Sequence, residues 1–301
     1  LRVNVECIPC FFRQALKTAR LAGASTEQQE QILLGFSKTL SGLSLEVSPP
    51  ELSRHLYRLV SDVTGNPDPF KELKERSNAL VLEAYGELKA RIARGGGLRE
   101  AVRLAIAGNI IDYGLVQAID IGRELDMIMG GDGGKPGKGK SPILHYEEFR
   151  SCLEKARTVL VLADNAGETV FDRLLMEEIH RTMPGKRIVY AVKERPIIND
   201  ALLEDARSCG IAELAELVTS GSDLPGTVLS LCSPDFVRLF RDADMVIVKG
   251  QGNYETLSEE KGPLFFLFMA KCDVVVRHLG CALGDFILLD GDRTWKSSSR
   301  A

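Results

Sequence analysis

Nowhere in the 301 residues does an apolar run approach the roughly 18–20 positions needed to cross a bilayer. The strongest candidate, Pro263 to Ala270 (PLFFLFMA), is far too short, so no membrane partner is expected. The N-terminus lacks a basic region followed by an apolar stretch, which argues against a secretory signal and makes the cytosol the expected compartment. Charge of one sign is missing as well. The formal charge of −4 gives no reason to expect nucleic acid or an anionic membrane as partner, although a local basic pocket for a small anion would not register in that total. The segment Lys249 to Glu255 lacks the G-x-x-x-x-G-K-[ST] spacing of a P-loop, and G-x-G-x-x-G occurs nowhere, which counts against a standard dinucleotide site. The four histidines (His55, His145, His180, His278) show no metal spacing. Seven scattered cysteines are an odd number, so a disulfide framework is not expected, and most should be small buried apolar residues.

What is present is an ordinary globular composition, 45% apolar and 27% charged, in two halves of different period. Pro9 to Leu21, Thr26 to Leu40, Pro49 to Val63 and Pro69 to Ala93 carry apolar residues at three- and four-residue spacing and read as helices. Ser25 or Thr26 and Ser48 suit helix starts, and Gly95-Gly96-Gly97 suits an end. Gly130 to Lys140 is rich in Gly and Lys without an apolar residue, which predicts a linker or an active-site flap. From residue 151 onward, short β-branched runs appear at Thr158–Leu162, Arg187–Val192, Leu217–Thr219, Met245–Val248, Val274–Val276 and Ile287–Leu289, most separated by helical stretches. The expectation is a mainly helical part over 1–150 and an α/β domain over 151–301, with a mainly parallel sheet covered on both faces. Ligands of such sheets bind at the carboxyl ends of the strands.

Polar motifs fall at those ends. Asp164-Asn165-Ala166-Gly167-Glu168 follows the first strand and precedes a helix; its carboxylate and amide oxygens are hard ligands for a divalent cation, but either Asp164 or Asn165 could equally cap that helix. Asp200 follows the next strand and could complete a metal site or cap the helix Ala201 to Ser208. The third cluster is Lys249-Gly250-Gln251-Gly252-Asn253-Tyr254-Glu255. Its glycines allow close backbone approach and Lys249 can neutralise a phosphate, which makes Gly250, Asn253 and Glu255 candidates for substrate binding. Asn109 and Asp112 lie one helical turn apart, and Ser220 to Thr227 is a Gly-rich turn.

In order along the chain, CIPCFFRQAL, AIAGNIIDYG, LADNAGETVFD, VKERPIINDAL, GSDLPGT and IVKGQGNYETL resemble the damage-control phosphatase family, formerly domain of unknown function 89. The likeness is to the archaeal and bacterial branch with an N-terminal Cys-x-x-Cys. It implies a three-layer α/β/α sandwich carrying an N-terminal helical part. It also implies one divalent cation (manganese, magnesium, cobalt or nickel) held by Asp164, Asn165 and Asp200, with Asn109 and Asp112 lining the pocket and Lys249 on the substrate phosphate. Other branches carry Asp where this chain has Gln251, so a role resting on that Asp does not transfer.

The expected activity is metal-dependent hydrolysis of a phosphate monoester on a small metabolite, a sugar phosphate or phosphopantetheine-type compound, with clearance of damaged metabolites as the purpose. Asp164 and Lys249 are its candidate catalytic residues. The alternatives are an S-adenosylmethionine-dependent carboxyl methyltransferase and a non-catalytic metal- or nucleotide-binding regulator. Cys7 and Cys10 sit before a helix, where a thiolate is stabilised; redox activity, a soft-metal site and burial stay open for them.

Overall fold

The computed structural model describes residues 1–109 and 144–292. Five helices come first: α1 (Cys7–Leu21), α2 (Thr26–Ser41), α3 (Pro49–Thr64), α4 (Lys71–Gly95) and α5 (Leu98–Ala107). Two of their starts are closed by reciprocal capping. Ser25 pairs with Gln28, and Ser48 with Glu51, so two otherwise orphan N–H groups are satisfied at each. Asp112 and the Gly130 to Lys140 stretch lie outside the described residues.

After α6 (Tyr146–Lys155) the chain alternates: β1 (Thr158–Leu162), α7 (Glu168–Thr182), β2 (Arg187–Val192), α8 (Leu203–Ser208), β3 (Glu216–Thr219), α9 (Pro234–Asp242), β4 (Met245–Lys249), α10 (Gln251–Leu257), β5 (Leu264–Met269), α11 (Asp273–Leu279) and β6 (Phe286–Asp290). The six strands form one mixed sheet in the order β3-β2-β1-β4-β5-β6. The first five run parallel, and β6 pairs antiparallel with β5. Alternate residues divide between two cores. Val159, Val161, Tyr190, Ile247 and Leu267 face α4 to α7, while Leu160, Leu162, Val189, Val248 and Phe266 face α9 to α11. This is the expected sandwich of helices on both faces of a mainly parallel sheet.

Three features differ from the sequence reading. Val274–Val276 is not a strand but part of α11, with only Val275 buried, and the place beside β4 belongs to β5. That strand is the apolar run Leu264–Met269, buried on both faces and therefore without alternation. The cores also do not divide at residue 150. Only α1 to α3 have a core of their own, around Phe11, Phe36 and Leu56, whereas α4 and α5 share the sheet's. Arg54 and Arg58 of α3 both pair with Asp223 after β3, which holds the small bundle over the carboxyl end of the sheet.

Candidate active site

In the strand order, β1 lies between β2 and β4, so the chain reverses direction of winding between β1 and β4. Crevices at such a switch point open beyond the carboxyl ends of the strands. Asp164 and Asn165 follow β1, Asp200 follows β2, and Gly250 follows β4. The loops after β1 and β2 are stitched together: Ala166 N–H donates to Asn199 O and Ala201 N–H to Asp164 O, both at 2.8 Å. Asn165 and Asp200 thereby face each other in an isolated antiparallel bridge.

Neither loop spends its acid on a helix. The N-cap of α7 is Gly167, in a glycine-favouring φ of 81°, with no side-chain cap. Its N–H donates instead to Asn78 Oδ1 of α4 at 2.6 Å, and Asn78 Nδ2 donates to Asp205 at 2.7 Å. Asp205 in turn accepts from Leu202 N–H at the start of α8. Asn78 and Asp205 thus do the capping, and Asp164, Asn165 and Asp200 are left to line a cavity of about 410 Å³. The small bundle supplies its opposite wall through Cys10, Gln14 and Lys17 of α1 and Tyr57 of α3.

Gly250 sets how closely β4 approaches this floor. Its backbone, φ 82° and ψ 154°, lies in a region essentially confined to glycine. A Cβ there would fall 2.0 Å from Asp164 Cγ. Gln251 and Glu255 of α10 extend the wall; Gln251 Nε2 donates to Glu255 Oε1 at 2.8 Å, and Gln251 Oε1 accepts from Lys271 N–H at 2.9 Å. Burial pushes the Glu255 carboxyl up from 4.5 to about 7, although the Gln251 hydrogen bond pulls the other way. Between those values the folded protein holds a proton that the unfolded chain has released, so this group's stabilising contribution falls as pH rises from 4.5 towards 7. Glu255→Gln should remove that slope. Thermal melts at about pH 5 and about pH 7 should then differ less in the variant than in the parent.

Asn109, Asn253 and Lys249 sit one layer behind the wall, all of them fully buried. Asn253 Nδ2 ties Ala163 O to Lys249 O, at 3.1 and 2.7 Å, and its Oδ1 accepts from Thr227. Asn109 Nδ2 donates to Asp164 Oδ2 at 2.9 Å and to Glu168 Oε1 at 2.6 Å. Lys249 Nζ is 2.6 Å from Asp172 and 3.2 Å from Glu168. Burial alone would lower its pKa, but the two carboxylates outweigh that and hold the ammonium well above its ordinary range. Lys249 therefore lies away from the cavity where a phosphate contact was expected. The lysines that do line it are Lys17 and Lys271, which no local motif marked.

A profile of the damage-control phosphatase ARMT1-like domain matches residues 3–287. The chain belongs to that family. The protein MJ0202 of Methanocaldococcus jannaschii is 32% identical over 96% of this chain and 95% of its own length. The damage-control phosphatase PH1575 of Pyrococcus horikoshii is likewise 32% identical, over 96% of this chain and 98% of its own. The crystal structure of PH1575, titled a DUF89 family protein, superposes with a TM-score of 0.84 and 30% identity, covering 97% of this chain and 99% of that one. Family membership makes a phosphatase the activity to be explained, ahead of a methyltransferase. Among the described residues no helix is long and apolar enough to cross a membrane.

The donor set suits a hard cation. Among the described residues no group of three or more His, Cys, Asp or Glu side chains could hold a metal ion, so the cysteines assemble no soft-metal cluster there. Asp164, Asn165 and Asp200 line one cavity and offer it two carboxylates and an amide, oxygen donors of the kind magnesium and manganese prefer. All seven cysteines are free. Cys7 and Cys10 lie within α1 and not ahead of it, and at Cys7 burial outweighs any thiolate stabilisation and raises the thiol.

Proposed function

We propose that this damage-control phosphatase hydrolyses phosphate monoesters of small metabolites, sugar phosphates or phosphopantetheine-type compounds, with the help of one divalent cation. The observation that carries this reading is the backbone stitching of Asn165 to Asp200 beside Asp164, in a wall that opposes two lysines. Asp164, Asn165 and Asp200 would hold the cation. When bound it would supply a Lewis acid for a phosphoryl oxygen and a means of activating water.

The remaining work falls to the chain's own groups. Lys17 and Lys271 can place positive charge on the equatorial phosphoryl oxygens, where phosphoryl transfer needs it. Glu255 can donate a hydrogen bond to a substrate oxygen when protonated, below about pH 7, and accept one above it. An adjoining cavity of about 540 Å³ shares Thr18, Tyr57, Phe70 and Ile198 with the first and offers room for the substrate's body. Ile198 separates the two at φ 39°, a conformation costly for a β-branched residue and of the kind that gathers at functional sites.

Phosphate release from a panel of sugar monophosphates and phosphopantetheine, after chelation and then with added manganese, magnesium, cobalt or nickel, tests the reading. Turnover restored by one of these cations is the expected result. Turnover indifferent to chelator would remove the cation, and binding without turnover would favour the regulator alternative.

A further inference from the structure

Beneath the cavity floor, buried side chains form one continuous hydrogen-bonded array. Tyr190 OH donates to Asp172 Oδ2 at 2.8 Å, and Lys249 Nζ donates to Asp172 Oδ1 at 2.6 Å and to Glu168 Oε2 at 3.2 Å. Glu168 Oε1 accepts from Asn109 Nδ2 at 2.6 Å and from Asn165 Nδ2 at 2.8 Å. Asn165 Nδ2 also donates to Asp164 Oδ2, at 3.0 Å. Each of these side chains except Asp164 and Asn165 is essentially sealed from solvent.

The orientation of the Asn165 amide follows from chemistry. A side-chain amide can be turned either way in a structure, and its bonding partners decide which end is the nitrogen. Both partners here are carboxylate oxygens, which when ionised only accept, so the NH₂ must face them. The amide oxygen is thereby turned away from both carboxylates, and Asn165 is one of the residues that line the cavity. Glu168 can hold that orientation only while its own charge is balanced, and Lys249 is the cation within reach.

We infer that Glu168 and Lys249 are positioning residues that fix which end of the Asn165 amide is offered to a cation, and that Lys249 does not contact the substrate phosphate. The inference rests on the proposed role of Asn165 as a ligand. Lys249 stands at the end of β4 and Glu168 at the start of α7, two rigid elements, so the amide is set before any ligand arrives. Asp172 and Tyr190 complete the array by holding Lys249 from the far side.

Glu168→Gln removes the balance at constant shape. If the new side chain turned its carbonyl to the Asn amides, its NH₂ would aim at Lys249. The opposite turn would draw the Asn165 oxygen inward, away from the cavity. Isothermal titration of manganese into the metal-stripped full chain should show affinity weakened about 10- to 100-fold in the variant, the range seen when groups behind a ligand are lost. The Michaelis constant for substrate at saturating manganese should shift less than about threefold, since Glu168 and Lys249 do not line the cavity. Asn165→Asp added to Glu168→Gln should restore much of the affinity, because a carboxylate presents an oxygen whichever way it turns. That rescue also answers a Glu168→Gln protein that folds poorly, as would Lys249→Met with the same titration. Manganese affinity within twofold of the parent in Glu168→Gln would overturn the inference. So would Lys249→Met that raises the substrate constant tenfold and leaves manganese binding intact. A parent chain that binds no manganese would instead sink the metal reading itself.

Discussion

Gly250→Ala should abolish phosphatase activity through a single methyl group. The glycine occupies φ 82° and ψ 154°, a region that costs a side-chain-bearing residue about 1–3 kcal/mol. The added Cβ would sit 2.0 Å from Asp164 Cγ and equally close to its Oδ2, so the carboxylate must leave its place. Asp164 cannot move alone. Its Oδ2 accepts from Asn109 and Asn165, and its carbonyl accepts from Ala201 N–H beside Asp200. Displacement therefore reaches the other two proposed ligands. Misplacement of about 1 Å in a reacting constellation costs on the order of 10²-fold, which sets the smallest loss expected. Hydrolysis of the best substrate at saturating cation, with a thermal melt alongside, checks it. Activity within tenfold of the parent would mean that Asp164 is not where the chemistry occurs.

Asp200→Asn should be nearly as damaging for a different reason. The shape of the side chain is kept, and its backbone bridge to Asn165 does not involve the carboxylate. What changes is charge. A bound cation contributes several kcal/mol of stabilisation to a phosphoryl transition state, and about 4 kcal/mol corresponds to roughly a 10³-fold change in rate. A loss of about that size is expected at cation concentrations that saturate the parent. The same variant should lose most of the rise in melting temperature that added manganese gives the parent, because ligand-induced stabilisation tracks affinity. If manganese still raised the melting temperature in full, Asp200 would be no ligand.

Much of the molecule is legible from local pattern. The capped starts at Ser25 and Ser48 fall where the serine and the Gln or Glu three residues on place them. The first two strands match their β-branched runs from end to end. Where reading failed, the pattern carried no period. Leu264–Met269 is a strand buried on both faces, and a continuous apolar run does not distinguish strand from helix. Val274–Val276 shows the converse: three β-branched residues joined a helix because β5 had already taken the place at the sheet.

The site divides in the same way. Sequence alone determined that oxygen donors and permissive glycines would stand at strand ends, since those positions follow from composition and from what each residue does to its own backbone. Only the tertiary structure decided which of them meet. Placing β1 between β2 and β4 brings Asp164 against both Asp200's loop and Gly250, residues 36 and 86 positions further along by their numbering. It also turned Lys249 inward to Glu168 and Asp172, gave the cavity Lys17 and Lys271 in its place, and handed the capping of α7 to Asn78. The reason is physical. Spacing along a chain encodes the local path of the backbone, whereas the partner of a buried charge is chosen by which elements pack together, and that is a property of the whole fold.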